Sequence, residues 1–234
     1  MRLLVMAKEP VPGRVKTRLT PPLRPEQAAA VAAAALADTL AAVAAVTVRP
    51  GFADLRPVLV LEGAAGPWLA TAGGFGGLAV AAQTTGPFDA RLAAAFAAET
   101  GPALLIGMDT PQLTADLLAA SCQALRSADA VFGPAADGGW WALGLARPDG
   151  DLLRGVPTSR PDTGARQRAR LGAAGLDVTV LPTLRDVDTA ADATAVARLV
   201  PGGRFAAAWR AADTRADLDA RQAPGASATA AATR

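Results

Sequence analysis

Apolar residues along this chain fall into two patterns. Some form short unbroken blocks, such as Leu3-Leu4-Val5-Met6-Ala7, Pro57-Val58-Leu59-Val60-Leu61 and Ala103-Leu104-Leu105-Ile106-Gly107. Blocks this short, without polar alternation, predict strands buried on both faces. Others recur at helical spacing, as Val31, Leu36, Leu40 and Val43 do on the Ala-rich stretch that Pro25 opens, and predict amphipathic helices. The whole chain then reads as strands at 2–7, 57–61, 78–83, 103–107, 130–132, 140–145 and 178–181. Helices are predicted at 25–46, 90–100, 115–127 behind a Thr114 cap, 163–174, 190–199 and 203–212. The Gly-rich stretch 63–77 has no clear period. Residues 213–234 are small and polar with no apolar face, which predicts a disordered tail after one domain of residues 1–212. Strands alternating with helices predict an α/β fold, a three-layer αβα sandwich on a mostly parallel sheet. Ligands of such sheets bind beyond the carboxyl ends of the strands, so functional loops are expected directly after strands.

Composition narrows the chemistry. The protein has no His, no Tyr, one Cys, and only two Lys among its 23 basic residues. A Ser-His-Asp or Cys-His centre lacks its imidazole base, and a zinc site of His and Cys lacks its ligands. Reactive groups are left to Asp, Glu, Lys, Arg, Ser, Thr and the backbone. Any metal is then a hard ion held by oxygen, Mg²⁺ or Mn²⁺. Cys122 alone forms no internal disulfide, in keeping with a cytoplasmic protein. The apolar block at 3–7 is too short for a signal-peptide core, and the helix over 25–46, interrupted by Asp38 and Thr39, is read as soluble, with no membrane insertion. Net charge is +2, yet the first 24 residues carry six basic groups against Glu9 alone. So small a patch suits a phosphorylated small molecule rather than nucleic acid, which needs a wide basic face.

Four segments carry candidate chemistry. The first, Ala7-Lys8-Glu9-Pro10-Val11-Pro12-Gly13-Arg14-Val15-Lys16-Thr17-Arg18-Leu19, follows the first strand. Pro10 and Gly13 shape a stiff, tightly turning loop. Lys8, Arg14, Lys16 and Arg18, with Thr17 and backbone N–H groups, then wrap a di- or triphosphate. Both lysines of an otherwise Arg-only chain lie here, which separates this loop from an ordinary solvated charge run. The second segment is Gly107-Met108-Asp109-Thr110-Pro111, where Asp109 either ligates a phosphate-bridging cation or simply forms a turn before proline. The third runs from Gly133 to Leu145. Here Asp137 is the candidate to orient or deprotonate an acceptor hydroxyl, Gly138 and Gly139 admit a ligand, and Trp140 and Trp141 must point to opposite faces. Its plainer reading is a hairpin turn at Asp137-Gly138. The fourth, Asp186-Val187-Asp188-Thr189-Ala190-Ala191-Asp192, offers Asp188 or Asp192 as a partner to Asp109 on the metal, or Thr189 and Asp192 as a helix cap. Gln83 at a strand end and Asp162 before a helix are weaker candidates for the nucleotide and acceptor pockets.

Together these segments, in this order over residues 1–212, resemble a bacterial glycosyltransferase family with the nucleotide-diphospho-sugar transferase (GT-A) fold. That family is catalogued as a domain of unknown function, DUF2064, with some members in arsenosugar biosynthesis. The resemblance implies that loop 8–18 binds nucleotide and Asp109 binds metal. The fourth segment is shared with guanylyltransferases acting on phospholactate or phosphoenolpyruvate. Two departures bear on the substrate: Gly86-Pro87-Phe88-Asp89 stands where the family has a Gly-Asp-Leu-Gly-type segment, and Asp162 where it often has His. Three functions are compatible: glycosyl transfer from a nucleotide sugar to a small-molecule acceptor, nucleotidyl transfer from a nucleoside triphosphate to an anionic acceptor, and nucleotide binding without catalysis.

Overall fold

A computed structural model of the protein describes residues 1–222, with side chains through residue 216. Among these residues one sheet forms from β1 (Arg2–Lys8), β2 (Arg56–Glu62), β3 (Ala79–Ala82), β4 (Ala103–Gly107), β5 (Ala130–Pro134), β6 (Trp140–Leu145) and β7 (Val178–Val180). The helices are α1 (Pro25–Thr47), α2 (Pro67–Thr71), α3 (Phe88–Ala97), α4 (Ala115–Leu125), α5 (Thr163–Ala173), α6 (Ala190–Leu199) and α7 (Arg204–Gln222). Strand order is β3-β2-β1-β4-β6-β5-β7. β6 runs antiparallel to both neighbours and all other pairings are parallel. The chain steps outward from β1 through β2 to β3, then crosses to β4 on the other side. That reversal opens a crevice at the carboxyl ends of β1 and β4, where Met6 lies opposite Gly107.

The unbroken apolar blocks serve two cores. Leu3, Val5, Leu104 and Ile106 face one way, against α1 and α4 residues such as Leu36, Leu40 and Leu118. Leu4, Met6 and Leu105 face the other way, with Phe96 of α3 and Leu171 of α5. The period-2 geometry of strands sorts them, and both faces are covered. A third cluster joins Leu19, Leu23 and Val31 to Val196 of α6 and to Phe205 and Trp209 of α7. α1 is therefore sandwiched, with the sheet on one side and α6 and α7 on the other. By length and composition it is apolar enough to cross a membrane, and 61% of its most apolar window is buried inside the protein.

Two elements depart from the pattern-based reading. α2 lies within the Gly-rich stretch, started by Pro67 as its first residue and held by Trp68 Nε1 donating to Ala64 O at 3.0 Å. Its single turn is too short to show a helical period. α7 continues to Gln222, so residues 213–222 are helical where a tail was expected. Ala212 is buried against the third cluster and Ala216 packs on it; small alanines gave no visible apolar stripe, yet they let the helix lie close. The rest of the expected tail, 223–234, lies outside the described residues.

Cys122 on α4 is fully buried, and burial pushes its thiol up to about 11. Because the thiolate is the reactive form, a chromogenic disulfide reagent at pH 8 is expected to leave the native protein unlabelled. One thiol should titrate after guanidinium unfolding. Native-state labelling as fast as in the unfolded chain would contradict this packing.

Candidate active site

The loop after β1 is fixed from below by its apolar residues. Val15 is buried in the core under α1, and Leu19 and Leu23 in the cluster with α6 and α7. With these three turned inward, the polar residues between them stay at the sheet edge. Lys16 takes a left-handed backbone (φ 49°, ψ 41°) before a 3-10 turn over Thr17–Leu19. That conformation costs a non-glycine residue about 1–2 kcal/mol, so its surroundings must over-determine it. They do: its ammonium lies 2.8 Å from Asp109 Oδ1 and 3.2 Å from Asp188 Oδ1, with the side chain only 7% exposed. Burial alone disfavours this ammonium, but the two carboxylates outweigh it and raise its pKa above the ordinary lysine value. Arg18 Nη1 adds a second pair to Asp188 Oδ2 at 3.2 Å.

The carboxylates meet here because two loops are tied together. Asp109 leaves the end of β4, and its carbonyl accepts from Val187 N–H at 3.0 Å. Gln112 Nε2 donates to Arg185 O at 2.7 Å. These bonds bring Asp186 and Asp188 beside Asp109. Asp186 stood in a candidate segment but not among the expected site residues. Its Oδ1 is buried with no hydrogen-bond partner. Burial first, then the carboxylates of Asp137, Asp109 and Asp188, push its pKa up to about 7. The signal available was spacing: in an extended segment Asp186 and Asp188 share one side while Val187, 1% exposed, turns into the core.

Two carboxylates, Asp109 and Asp188, thus share the Lys16 ammonium, and Asp188 also pairs with Arg18. Asp186 and Asp137 stand close by, without a cation of their own among the described residues. Among the described residues no three acids or other ligands are drawn up as a ready metal cage. Magnesium, however, is ordinarily held by one or two carboxylates completed by substrate phosphates. Asp109 and Asp188 are such a pair, all donors are hard oxygens, and the buried Asp186 Oδ1 beside them has no hydrogen-bond partner among the described residues. The residues present fit a divalent cation. Asp192 does not join them. It accepts from Thr189 N–H and Oγ1, at 3.0 and 2.7 Å, as the cap of α6, and pairs with Arg185 at 2.9 Å. These partners lower its pKa although burial opposes them.

Two cavities share the Asp109 and Asp188 edge. The smaller, about 250 Å³, is lined by Lys8, Arg14, Lys16, Thr17 and Arg18. The larger, about 510 Å³, continues past Asp137 and Asp186 to Trp140 and Phe88. Lys8 Nζ is paired with Glu62 at 3.1 Å. Pro10 and Gly13 shape the loop but line neither cavity; Gly13 supplies a left-handed turn (φ 76°).

Other expected site residues are engaged elsewhere. Gln83 donates to Ala7 O and Val60 O at 2.8 and 2.9 Å and accepts from Arg91 at 2.7 Å. Its amide is consumed in closing the sheet edge, and it lines neither cavity. Asp162 pairs with Arg160 and Arg166, which lower its pKa, and it too lies off the cavity wall. Asp137 and Gly138 sit in the turn joining β5 and β6, and Gly139 N–H donates to Asp137 Oδ1 at 2.8 Å. Gly138 admits protein rather than ligand: with φ 89°, its absent Cβ would collide with Pro161 O. Gly139 and Trp140 line the larger cavity. Trp141 points to the opposite face, buried, with Nε1 donating to Pro182 O at 2.9 Å.

The charge balance yields two expected outcomes. Lys16→Met leaves Asp109 and Asp188 without their shared partner. Stability at pH 8 should fall by about 1–3 kcal/mol, less than for a fully enclosed pair because both carboxylates are over a third exposed. Because the two carboxylates hold this ammonium charged past the ordinary lysine value of 10.5, the loss should shrink only as pH rises above that value in denaturant titrations; an unchanged midpoint at pH 8 would refute the pairing. For Asp186 the window lies lower. The folded protein holds its proton to about pH 7, whereas an ordinary aspartate releases it near 3.8. Stability is therefore lost as pH rises across that window. With chelator present, Asp186→Asn should raise the melting temperature above pH 7 by roughly 2–4 °C, with no gain at pH 4.

Comparisons with known proteins agree with this architecture. No curated protein matches the sequence. A crystal structure from Desulfovibrio desulfuricans, of a protein assigned as a nucleotide-diphospho-sugar transferase, superposes with TM-score 0.77 at 27% identity, covering 93% of this chain and 96% of that one. Rv0371c of Mycobacterium tuberculosis gives 0.52 at 21% identity, covering 84% and 97%. A nucleotidyl transferase from Methanothermobacter gives 0.54 at 16% identity, covering 86% and 98%. The last two share the fold alone. The sheet and its helices form the Rossmann-like fold of nucleotide-diphospho-sugar transferases. The model of a family described as "Uncharacterized protein conserved in bacteria (DUF2064)" matches residues 30–160, more than half of the chain. The chain is therefore a member of the bacterial DUF2064 family.

Proposed function

We propose that the protein is a glycosyltransferase that moves a sugar from a nucleotide donor to the hydroxyl of a small acceptor. The observation that carries this reading is the junction of two unlike cavities at Asp109 and Asp188, one lined by cations and one by acids and apolar groups. Lys8, Arg14, Lys16 and Arg18 bind the donor diphosphate and hold its charge as it leaves. Asp109 and Asp188 would hold Mg²⁺ or Mn²⁺, which would supply further charge neutralisation to the same group. The acceptor lies in the larger cavity near Asp137. Its hydroxyl oxygen bonds to the anomeric carbon as the bond from that carbon to the diphosphate oxygen breaks. The electron pair leaves on the diphosphate, and the hydroxyl proton passes to Asp137.

Nucleotidyl transfer is the second reading, and the number of cations in the smaller cavity favours it, since they suit a triphosphate. The larger cavity weighs against it. An acceptor phosphate there would face Asp137 and Asp186, and of the two guanidiniums on its wall Arg160 is paired with Asp162 while Arg18 is assigned to the donor diphosphate.

A thermal-shift panel of UDP-, GDP- and TDP-sugars and nucleoside triphosphates, each with and without Mn²⁺, tests this. One nucleotide sugar should stabilise the protein only with metal, by roughly 3 kcal/mol at a hundredfold excess over its Kd. Asp109→Ala should abolish the metal-dependent part and cut turnover by about 100-fold. A response confined to triphosphates, with pyrophosphate released, would select nucleotidyl transfer. No metal-dependent response to any of them would reject both.

A further inference from the structure

The larger cavity has two chemically distinct ends. Beyond the carboxylates its wall is made by Met6 of β1, Leu105 of β4 and Leu92 of α3, at 5%, 1% and 3% exposure, together with Trp140 and Phe88. Phe88 is 40% exposed, unusual for so large an apolar side chain at a cavity mouth. It is held in place: the Arg91 guanidinium lies over its ring at 5.1 Å. Arg91 is itself fixed by Glu62 at 2.6 Å and Gln83 at 2.7 Å. This phenylalanine sits in the Gly86-Pro87-Phe88-Asp89 segment, which the donor chemistry leaves unexplained.

We infer that this end takes the acceptor's body, and that the acceptor is an uncharged alcohol bearing a compact apolar group, a ring or short branched chain. The inference rests on the glycosyltransferase reading. An anionic acceptor is disfavoured because this end has no cation of its own among the described residues: Arg160 is paired with Asp162, Arg18 is assigned to the donor diphosphate, and Asp137 and Asp186 would repel the anion. A cationic body would carry its charge to the end formed by Met6, Leu92 and Leu105, which offers it no carboxylate among the described residues and costs it hydration, because the acids line the other end. A polyol would forfeit the desolvation of those walls and the ring contacts of Phe88 and Trp140. The total volume, about 510 Å³, must also admit the donor sugar at the carboxylate end. That limits the apolar body to small-molecule size and excludes a long lipid chain.

Saturation-transfer NMR on the full chain with Mg²⁺, using benzyl alcohol, choline, glycerol and glycerol 3-phosphate as probes, decides this. Benzyl alcohol should bind at least about tenfold tighter than the other three, and Phe88→Ser should weaken it by about tenfold, with Phe88→Leu intermediate. Circular dichroism checks that both variants fold. Equal or tighter binding of choline, glycerol or glycerol 3-phosphate would overturn the inference. So would unchanged benzyl alcohol binding in Phe88→Ser. Nucleotide-sugar stabilisation is measured on the same samples. If it persists while benzyl alcohol fails, the acceptor class is wrong and the donor reading stands. If no nucleotide sugar stabilises the wild type, the donor reading itself fails, and with it the acceptor role of this end.

Discussion

The ammonium of Lys16, lying between Asp109 and Asp188, is the contact on which this edge of the molecule depends. It joins three segments far apart in the chain: the loop after β1, the end of β4 and the approach to α6. The carboxylates are crowded and would repel one another without a cation among them; burial first, and then this crowding, raises the pKa of Asp186. A lysine suits this place better than an arginine because one compact charge can sit between two oxygens. Its left-handed backbone is tolerated because Val15 and Leu19, on either side, are buried.

Around that contact the fold sorts charge into compartments. The reversal of strand order at β1 and β4 opens the crevice, and the loop of residues 8–24 closes one side with cations. The antiparallel β5–β6 pair closes the other. Its turn carries Asp137 toward the acids and, through Gly138, lets the backbone of Pro161 approach, so that residues 158–161 complete the wall. The two compartments are also linked behind the site. Lys8 pairs with Glu62, Glu62 with Arg91, and Arg91 covers Phe88. Side chains on the phosphate wall and the apolar wall thus share one ionic chain, with Gln83 as its anchor to the sheet.

Much of the fold was legible in the residue pattern. Each sheet strand coincides with a segment read from the sequence, most plainly β1, β2 and β4, where cover on both faces demands apolar residues throughout. The edge strands β3 and β7 are largely exposed and were marked by β-forming residues between turns. The helices with large side chains on one face were equally plain. α2 and the end of α7 were not, because one turn shows no period and alanine marks no stripe. The third layer of helices over α1 was also hidden: an Ala-rich helix reads the same whether one face or two are covered.

The candidate site divides along the same line. Residue types and their order set the chemistry: oxygen and nitrogen charges without imidazole, lysines confined to one segment, acids placed after strands. Those are properties of residue type and local order. Packing settled which charges meet and chose between local alternatives such as ligand and cap. It joined Lys16 to Asp109 and Asp188 and added Asp186. It spent Asp192 on a helix cap, Asp162 on two arginines and Gln83 on backbone carbonyls. A short polar side chain satisfies whichever partner packing brings within about 3 Å: for Asp192 and Asp162 a near neighbour in the chain was enough, whereas Lys16 meets Asp109 and Asp188 only because strand order and loop contacts bring distant segments together.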